Sequence, residues 1–599
     1  MKKPVSDSSD GGLRVFARLL GFLRPYRRGV IASLLLAAAA MGAGVLIPYL
    51  VGRTVDDIRG GGGNLWPLAG AVAAAGVFRL ASSVPRRLVA GRVSLGVEFD
   101  LRNRMYHHLQ TLDLAFFDGQ QTGQLMSRAT VDLGSIRFFL GYGLIFMMQS
   151  GLTILIAMSV MIAVNPILSL VVLAPMPAAV WVGFRYGGHN RPASQEVQQR
   201  IAELTAAAEE NVSGVRVVKA FAQEERQLRR FNHAVRRVFE QSMVSTRLRA
   251  FFNPLLEFLP QLGLAAVTLV GGRQAVNGTI TVGEFVAFYG YVVMLTSPMR
   301  TLGMALGMAQ RATASGARVF EILDREPELT SPPGAPPLPD GGGHVEMRGV
   351  TFGFEGGEPV LKDIDLDVGA GSTVAVVGGT GSGKTTLVTL VSRLYDVSEG
   401  AILVDGADVR DVDLASLRGQ IALVSDDAFL FSASLRENIA YARPGASDDE
   451  IVEAAQRAGL DGFADNLPDG YSTQVGERGV SLSGGQRQRV AIARALVAQP
   501  RILILDDATS SVDATTEGHI KQAMREVMRG RTTFVIAHRL STIALADEIV
   551  VLEGGRIVAQ GSHEELLEES ELYREIAERG LPDQVFLTRK PAEPEVAGL

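Results

Sequence analysis

The chain has 599 residues, of which 47% are hydrophobic and 20% are charged, and its formal net charge is −6. A net negative charge gives no support to bulk nucleic-acid binding, and a chain without cysteine has no disulfide, thiolate metal ligand or cysteine nucleophile. The length allows several domains. Long uncharged apolar runs fill the first half, whereas the second half has the mixed pattern of a soluble α/β protein.

The first 28 residues predict a short tail followed by an amphipathic helix. Two lysines near the start have no apolar core behind them, which is not the pattern of a cleavable signal peptide. Residues 13–28 then alternate leucine and phenylalanine with arginine at helical spacing. We expect this helix to lie in the membrane interface just before the first span, with a soluble cap helix as the alternative.

Six apolar segments predict a transmembrane domain over residues 29–325. A run of about 20 apolar residues, at about 1.5 Å per residue, crosses a hydrocarbon core of roughly 30 Å. The first run, residues 29–52, contains no charged residue. The six predicted spans cover residues 29–52, 64–84, 138–164, 166–185, 254–274 and 281–303.

Arginine indicates the orientation of these spans. The two long connections, residues 81–138 and 185–250, have a helical pattern and contain arginine throughout, and arginine-rich connections stay on the cytoplasmic side. We therefore expect both termini in the cytoplasm and the protein in the cell membrane.

Arg79, Glu257 and Arg300 lie near the cytoplasmic ends of predicted spans. Each is a candidate pathway residue because charge within a membrane is costly, although a long side chain there also reaches the interface.

A linker dense in proline and glycine, residues 326–343, separates the spans from a predicted α/β domain at residues 344–580. Residues 581–599 predict a loose tail. Within the domain, GGTGSGKTT at residues 378–386 follows an apolar strand and precedes an apolar helical pattern. This is the order of the phosphate-binding loop G-x-x-x-x-G-K-[ST]. The predicted ATP-binding residues are Gly378, Gly379, Thr380, Gly381, Ser382, Gly383, Lys384, Thr385 and Thr386.

The residue types of this loop suit ATP and Mg²⁺. Glycines let backbone N–H groups curl around phosphates, and the helix N-terminus adds a positive dipole end. Lys384 is expected to reach the outer phosphates, and the Thr385 hydroxyl is expected to ligate Mg²⁺. Asp506 ends a buried strand pattern and is expected to hold the Mg²⁺ shell near Thr385. Asp507 stands beside it, and the cation offsets the repulsion between the two carboxylates.

A second motif gives the chain a family resemblance. The stretch SLSGGQRQRVAIARAL, residues 481–496, is similar to the signature of the ATP-binding cassette (ABC) family. The resemblance implies a dimer in which two nucleotide-binding domains pack head to tail. ATP then lies between the phosphate-binding loop of one domain and the signature of the other. The signature residues for this site in trans are Leu482, Ser483, Gly484, Gly485 and Gln486.

The resemblance also implies roles for single residues. Phe354 occupies the place of an aromatic that stacks on adenine, where a tyrosine is more usual. His538 matches the switch histidine that contacts the γ-phosphate, and Asp513 lies in a stretch similar to the D-loop, which crosses to the other subunit. The catalytic residues are therefore expected to be Asp507 and His538.

The first half of the chain resembles the six-span exporter domain of the same family. Residues 116–137 and 210–225 look like its two intracellular helical turns, and residues 310–324 look like the helix that leads into the nucleotide-binding domain. The resemblance covers nearly the whole chain and excludes soluble ATPases that share the cassette. The expected fold is a multidomain membrane protein in which an all-α six-helix transmembrane domain precedes an α/β P-loop ATPase domain.

Two positions depart from the family pattern. Asp507 stands where family members that hydrolyse ATP well carry a glutamate, and its side chain is one methylene shorter. Misplacement on the ångström scale can cost on the order of 100-fold in rate. Asp426 stands where a glutamine usually joins the Mg²⁺ and water shell; it could ligate Mg²⁺, but an ionised carboxylate cannot donate a hydrogen bond. A conservative change with a slow but working site is the alternative.

Both departures affect one composite site, while the signature is intact. We therefore expect the chain to pair with a different half-transporter, which carries a glutamate and an altered signature. The predicted function is ATP-driven export of amphipathic small molecules, lipids or peptides by alternating access, with the chain's own site hydrolytically impaired. The alternatives are a homodimeric exporter with slow ATPase, an exporter-fold importer, for instance for siderophores, and an ATP-gated channel. No nucleic-acid partner is expected.

Overall fold

The structure, a computed structural model, describes residues 8–61, 64–354, 356–476, 482–506, 514–537 and 540–579. Contacts divide the chain into two units. The first comprises Met1–Gln110 and Gly123–Arg325, and the second comprises Thr111–Thr122 and Glu326–Leu599. Each unit has its own hydrophobic core.

The first unit is built from long helices. Four helical stretches among the described residues are long and apolar enough to cross a membrane: Arg27–Arg59, Trp66–Thr111, Thr122–Val164 and Glu224–Val276. A shorter apolar stretch covers Val282–Leu295. The helices in chain order are α1 (Ser8–Gly21), α2 (Arg27–Arg59), α3 (Trp66–Thr111), α4 (Leu114–Asp118, in the second unit), α5 (Thr122–Ser127), α6 (Leu133–Phe138), α7 (Leu144–Val164), α8 (Pro166–Leu173), α9 (Met176–Ser213), α10 (Val215–Ala220), α11 (Glu224–Val276) and α12 (Val282–Leu323), with π-helical turns at Arg128–Asp132 and Phe139–Gly143.

The predicted fourth span, residues 166–185, coincides with two helices, α8 and α9. Pro175 lies at the break between them, where its missing N–H and the restriction on the preceding residue interrupt the helical hydrogen bonds. The turn before α8 is fixed by a side chain. The side-chain Oδ1 of Asn165 accepts a hydrogen bond from the Leu168 N–H at 2.9 Å, which caps the start of that helix.

Helices α2 and α12 pack closely through glycine. A Cβ atom added to Gly52 would lie 2.4 Å from the carbonyl oxygen of Gly283, so this crossing has no room for a side chain. Small residues at a crossing let helix backbones approach, which favours helix association in a membrane. Elsewhere between the same two helices, the buried Tyr291 hydroxyl donates to the carbonyl oxygen of Val45 at 3.0 Å. This hydrogen bond satisfies the one polar group of an otherwise apolar side chain.

The second unit contains two sheets. Their strands are β1 (Val345–Phe352), β2 (Leu361–Val368), β3 (Thr373–Gly378), β4 (Glu399–Val404), β5 (Ala407–Asp408), β6 (Ile421–Val424), β7 (Ile502–Asp506), β8 (Thr532–Ile536), β9 (Glu548–Glu553) and β10 (Arg556–Gly561). The smaller sheet is antiparallel, with the order β2-β1-β4-β5. The larger sheet has the order β10-β9-β3-β8-β7-β6 and is parallel except at its edge strand β10.

Strands β3, β7 and β8 are buried along nearly their whole length. Their sequences are mostly apolar or β-branched, as expected for central parallel strands that are covered on both faces. Because parallel strands end on the same edge of a sheet, the residues that follow β3, β6, β7 and β8 share one edge. The helices of this unit after α4 are α13 (Lys384–Val391), α14 (Leu414–Gly419), α15 (Leu435–Ile439), α16 (Asp448–Arg457), α17 (Asp461–Ala464), α18 (Gly484–Ala498), α19 (Ala514–Met528), α20 (Leu540–Ile543), α21 (His563–Glu569) and α22 (Glu571–Arg579).

Candidate ATP-binding site

The predicted phosphate-binding loop lies between β3 and α13, and its backbone requires glycine at both ends. Gly378 has a φ of +152°, and a Cβ atom there would lie 2.2 Å from the carbonyl oxygen of Leu552. Gly383 precedes α13 with a φ of +104°, and a Cβ atom there would lie 2.7 Å from the Leu361 side chain. Glycine adopts these angles without strain. Of the other predicted loop residues, Gly379, Thr380 and Gly381 lie between these ends, and Thr386 is in the first turn of α13.

The loop buries one lysine and one serine side chain. The Lys384 Nζ donates to the carbonyl oxygens of Gly378 and Gly379, at 2.9 Å each. The Ser382 hydroxyl is buried and has no hydrogen-bond partner among the described residues. A buried polar group without a partner costs about 1–3 kcal/mol. Because a phosphate oxygen accepts hydrogen bonds from both kinds of donor, the loop fits a phosphate group.

Two oxygen-bearing side chains meet beside the loop. Thr385 is the second residue of α13, and Asp506 is the last residue of β7. The Thr385 hydroxyl donates to Oδ2 of Asp506 at 3.3 Å. In the described part of the chain, no group of three or more acidic or histidine side chains is placed to hold a metal by itself. The pair therefore fits Mg²⁺, which usually takes one or two protein ligands and completes its shell with phosphate and water oxygens.

The departing residue Asp426 lies at the same edge of the larger sheet. It follows β6 by two residues, and β6 pairs in parallel with β7, with Val424 opposite Leu505. Asp426 and Asp506 thus come after neighbouring strands whose carboxyl ends point the same way. The Asp426 side chain is exposed. Its predicted place in the Mg²⁺ and water shell, and its role as a metal ligand, stay predictions.

Three predicted residues, Asp507, Asp513 and His538, lie outside the described residues. In the chain, Asp507 follows Asp506 directly, and His538 comes two residues after the end of β8. Their roles in catalysis and in the D-loop therefore rest on the sequence and stay predictions.

The signature residues form the start of α18. Ser483 is the N-cap residue: its hydroxyl accepts from the Gln486 N–H at 3.3 Å, and Oε1 of Gln486 accepts from the Ser483 N–H at 2.8 Å. This capping box orients the exposed serine at the positive end of a 15-residue helix. Of the neighbouring signature residues, Leu482 and Gly485 are buried and Gly484 is half-buried. The hydroxyl proton of Ser483 remains free to be donated, for example to a phosphate oxygen.

Phe354, the predicted adenine-stacking residue, belongs to a group of three aromatic rings. It is 44% exposed, so one part of its ring is open to a ligand. Its ring lies edge-to-face against Phe352 and Tyr395, with ring centres 5.1 and 5.5 Å apart. Edge-to-face pairs are a favoured arrangement of aromatic side chains. The two neighbours therefore hold Phe354 in position at the end of β1.

Tyr395 connects this aromatic group to the short helix α4. Its hydroxyl donates to Oδ2 of Asp118, the last residue of α4, at 2.5 Å. Burial and the carboxylate raise the pKa of the Tyr395 hydroxyl, so it remains a proton donor at neutral pH. At the other end of α4, Asp113 accepts from the Phe116 N–H at 3.0 Å and from the Glu328 N–H at 3.1 Å. Helix α4 is thus fastened to the second unit at both of its ends.

Sequence reasoning missed Tyr395, Asp113 and Asp118. The partners Tyr395 and Asp118 are 277 positions apart, and no local pattern joins them. A weak signal was available for Asp113, since an aspartate before a short apolar segment is a common helix N-cap. The buried hydroxyl of Ser382 also gave no signal, because the loop motif leaves that position open.

Both halves of the chain match known protein families. Residues 30–299 match the family described as "ABC transporter transmembrane region", and residues 361–510 match the family described as "ABC transporter". An ATP-dependent lipid A-core flippase of Syntrophus aciditrophicus is 38% identical over 571 residues, which is 94% of each chain. The chain belongs to the ABC exporter family. The sequence prediction of the family and of the fold class is thereby confirmed.

The chain is also similar to other ABC transport proteins. The solved structure of a bacterial Atm1-family ABC exporter with ATP bound has a TM-score of 0.77 and 32% identity, and the match covers 95% of this chain and 99% of that chain. A multidrug efflux ATP-binding/permease protein of Mycobacterium tuberculosis is 40% identical over 588 residues. This exporter chain spans about half the length of that relative, 49%. It contains one transmembrane region and one ATP-binding domain, and that domain couples ATP hydrolysis to transport in this family.

Proposed function

We propose that this ABC exporter chain moves amphipathic molecules across the cell membrane by alternating access driven by ATP. The observation that carries the proposal is the buried Lys384 and Ser382 cradle, which stands in a chain that also has helices of membrane-spanning length. The names of two relatives, a multidrug efflux protein and a lipid A-core flippase, support the substrate class. Drugs and lipids share an apolar body with a polar end.

In the proposed cycle, the second unit holds ATP through the residues of the phosphate-binding loop. Lys384 and Ser382 donate to the outer phosphates, and Phe354 stacks on adenine. Thr385 and Asp506 would hold Mg²⁺, which would neutralise charge on the phosphate groups. Ser483 donates to ATP held by the partner's nucleotide-binding domain. Closure of the two domains around ATP switches the spans from inward-facing to outward-facing, and both termini stay in the cytoplasm.

The proposed partner is a different half-transporter, with a glutamate in the place of Asp507 and an altered signature. Asp507 and Asp426 support this pairing, because both depart from the family pattern and follow, in the sequence, the neighbouring strands β7 and β6. The capped, exposed Ser483 supports it from the other side, because the signature is formed as a binding element. The Asp507 site then binds ATP and rarely cleaves it, and the partner's site does most of the turnover. A homodimer with slow hydrolysis at both sites is the second candidate.

Export is favoured over import by the relatives, which are described as an efflux protein, a flippase and an exporter. Inside-out membrane vesicles of the native host test this direction. ATP should drive uptake of a fluorescent amphipathic dye into vesicles that contain the wild-type chain. Lys384→Ala should reduce this uptake to the background, because the loop then loses its buried cation and the hydrogen bonds it donates.

Lys219→Ala is the matched control, since Lys219 is an exposed lysine that pairs with Glu224 at 2.8 Å in the first unit. It should leave ATP-driven uptake within about twofold of the wild type, because exposed ion pairs contribute only about 0–1 kcal/mol. Equal uptake by wild-type and Lys384→Ala vesicles would contradict the proposed function. ATP-dependent loss of dye from inside-out vesicles would instead support the importer alternative.

A further inference from the structure

The first unit contains a cavity of about 380 Å³ between helices α2, α3, α7 and α12. Its volume lies in the range of ligand pockets, about 300–1,000 Å³. Two kinds of side chain matter for its chemistry. One is a methionine wall, and the other is polar, with Arg79 and Gln149 both lining the cavity. The methionine wall consists of Met41, Met294, Met304 and Met308.

Arg79 brings a positive charge into this cavity. Among the described residues, no carboxylate lies within ion-pair distance of its guanidinium group. Its Nε lies beside α2, 3.9 Å from the point where a Cβ atom of Gly44 would stand. A charge within a predicted span is costly unless it is paired. An acidic group on a ligand would supply the missing partner and could bind the guanidinium group with two parallel hydrogen bonds.

Gln149 adds an unused acceptor. Its Oε1 is buried and has no hydrogen-bond partner among the described residues. Its Nε2 has only a weak acceptor nearby, the sulfur of Met41 at 3.7 Å. A buried acceptor without a partner costs free energy, which a hydroxyl or amide N–H on a ligand would recover. A ligand that fits this site therefore carries a hydrogen-bond donor as well as an acidic group.

The methionine wall determines the rest of the ligand. Methionine side chains are unbranched and polarizable, so they adapt to apolar bodies of different shape. We propose that this cavity binds an amphipathic anion. Its acidic group lies on Arg79, its hydroxyl or amide donor lies on Gln149, and its apolar body lies against the methionine wall. The assignment rests on the proposed export function and narrows its substrate class from amphipathic molecules in general to acidic ones.

Binding to the full chain in a neutral maltoside detergent tests the assignment, by titration calorimetry with three probes. Taurocholate and lysophosphatidylglycerol both carry an acid, hydroxyl groups and an apolar body, and dodecyltrimethylammonium is the cationic control. The wild type should bind at least one of the two acids and should bind the cation at least tenfold more weakly. Binding of lysophosphatidylglycerol alone would assign the site to lipid headgroups, and binding of taurocholate alone would assign it to small acids.

Three variants locate the binding. Arg79→Gln should weaken binding of the acids about 10–100-fold, since hydrogen bonds to charged groups contribute about 1.5–3 kcal/mol. Arg79→Lys should restore part of the affinity because it keeps the charge but not the two-pronged geometry. Gln149→Leu should weaken binding about three- to tenfold. The matched control is Arg53→Gln, because Arg53 lies outside the cavity and stacks over Tyr49; it should leave affinity unchanged.

The proposal is overturned if neither acid binds the wild type, or if Arg79→Gln binds both acids as tightly as the wild type. If Arg79→Gln is not recovered as a folded protein, Arg79→Lys and Gln149→Leu replace it. Wild-type affinity for both acids in these two variants would then overturn the proposal. Dye uptake into inside-out vesicles separates this result from the proposed function. If wild-type vesicles transport a neutral dye but the acids do not bind, the proposed export function is retained. Only the proposed preference for acidic ligands is then rejected.

Discussion

At the scale of single residues, the buried Ser382 hydroxyl indicates that the loop is suited to bind a ligand rather than to maximise stability. Its hydroxyl is buried without a partner in the described chain, which weakens the protein when no nucleotide is bound. Ser392, the C-cap residue of α13, is also buried, but its hydroxyl donates to the carbonyl oxygen of Thr389 at 3.0 Å. Two buried serines of one segment therefore differ in whether their hydroxyl is used in the free protein.

Ser382→Ala should leave the melting temperature of the nucleotide-free chain unchanged or raise it, because the variant removes an unsatisfied polar group. The same variant should weaken ATP binding about 10–150-fold, since a charged phosphate loses a hydrogen bond worth about 1.5–3 kcal/mol. Thermal unfolding with and without ATP and Mg²⁺ measures both effects. Ser392→Ala is the control and should lower stability in both conditions by the same amount. If Ser382→Ala behaves like Ser392→Ala, the hydroxyl is structural.

At the scale of elements, α4 shows how a short helix is held without a large apolar face. Only Phe116 of its five residues is buried. Asp113 fastens its start to the backbone at Glu328, and Asp118 fastens its end to Tyr395. Tyr395 in turn packs edge-to-face on Phe354, where we expect adenine to stack. The end of α4 is therefore linked to the nucleotide site through one hydrogen bond and one aromatic contact.

Tyr395→Phe keeps the ring but removes the hydroxyl that donates to Asp118. The amides of residues 114–118 should then exchange with solvent about tenfold faster or more, because a hydrogen bond to a carboxylate contributes about 1.5–3 kcal/mol. ATP affinity should change less than about threefold, since the ring contact with Phe354 remains. Hydrogen exchange measured by mass spectrometry on the peptide that contains α4 gives the first quantity, and nucleotide titration gives the second.

Asp118→Ala should increase exchange in α4 to the same extent, and the double variant should add little, because both changes remove one interaction. Asp118→Asn is the matched control, because its amide oxygen still accepts from the Tyr395 hydroxyl and should retain part of the protection. Additive effects of the two single variants would contradict a direct link between these side chains.

The same elements explain how much the sequence could predict. The places of the phosphate-binding loop, Asp506 and the signature in the fold were predictable because each motif consists of contiguous residues beside a strand or a helix. The contact between Thr385 and Asp506 was predictable in kind, since parallel strands bring their ends to one edge. The link from Asp118 to Tyr395 was not, because tertiary packing alone joins them. The break at Pro175 inside a predicted span was visible as a proline, but its effect depends on neighbouring helices.

At the scale of the whole molecule, the question is whether two copies of this chain work together or one copy works beside a different half. In a homodimer, each ATP site combines the loop edge of one copy with the signature of the other. A change at Asp507 and a change at Ser483 would then damage both sites equally. In the proposed heterodimer, Asp507 belongs to a site that rarely cleaves ATP, whereas Ser483 completes the site that does most of the turnover.

Ser483→Ala should therefore reduce ATP-driven dye uptake into inside-out vesicles much more than Asp507→Asn does, by about tenfold or more if one phosphate contact of about 1.5–3 kcal/mol is lost. Loss of a helix cap alone costs about 1 kcal/mol. Ser447→Ala measures that effect, because Ser447 caps α16 in a capping box of the same kind, with Glu450. Ser447→Ala should leave uptake near the wild-type level. Equal losses from Ser483→Ala and Asp507→Asn would favour the homodimer, because only identical subunits place both residues in every active site.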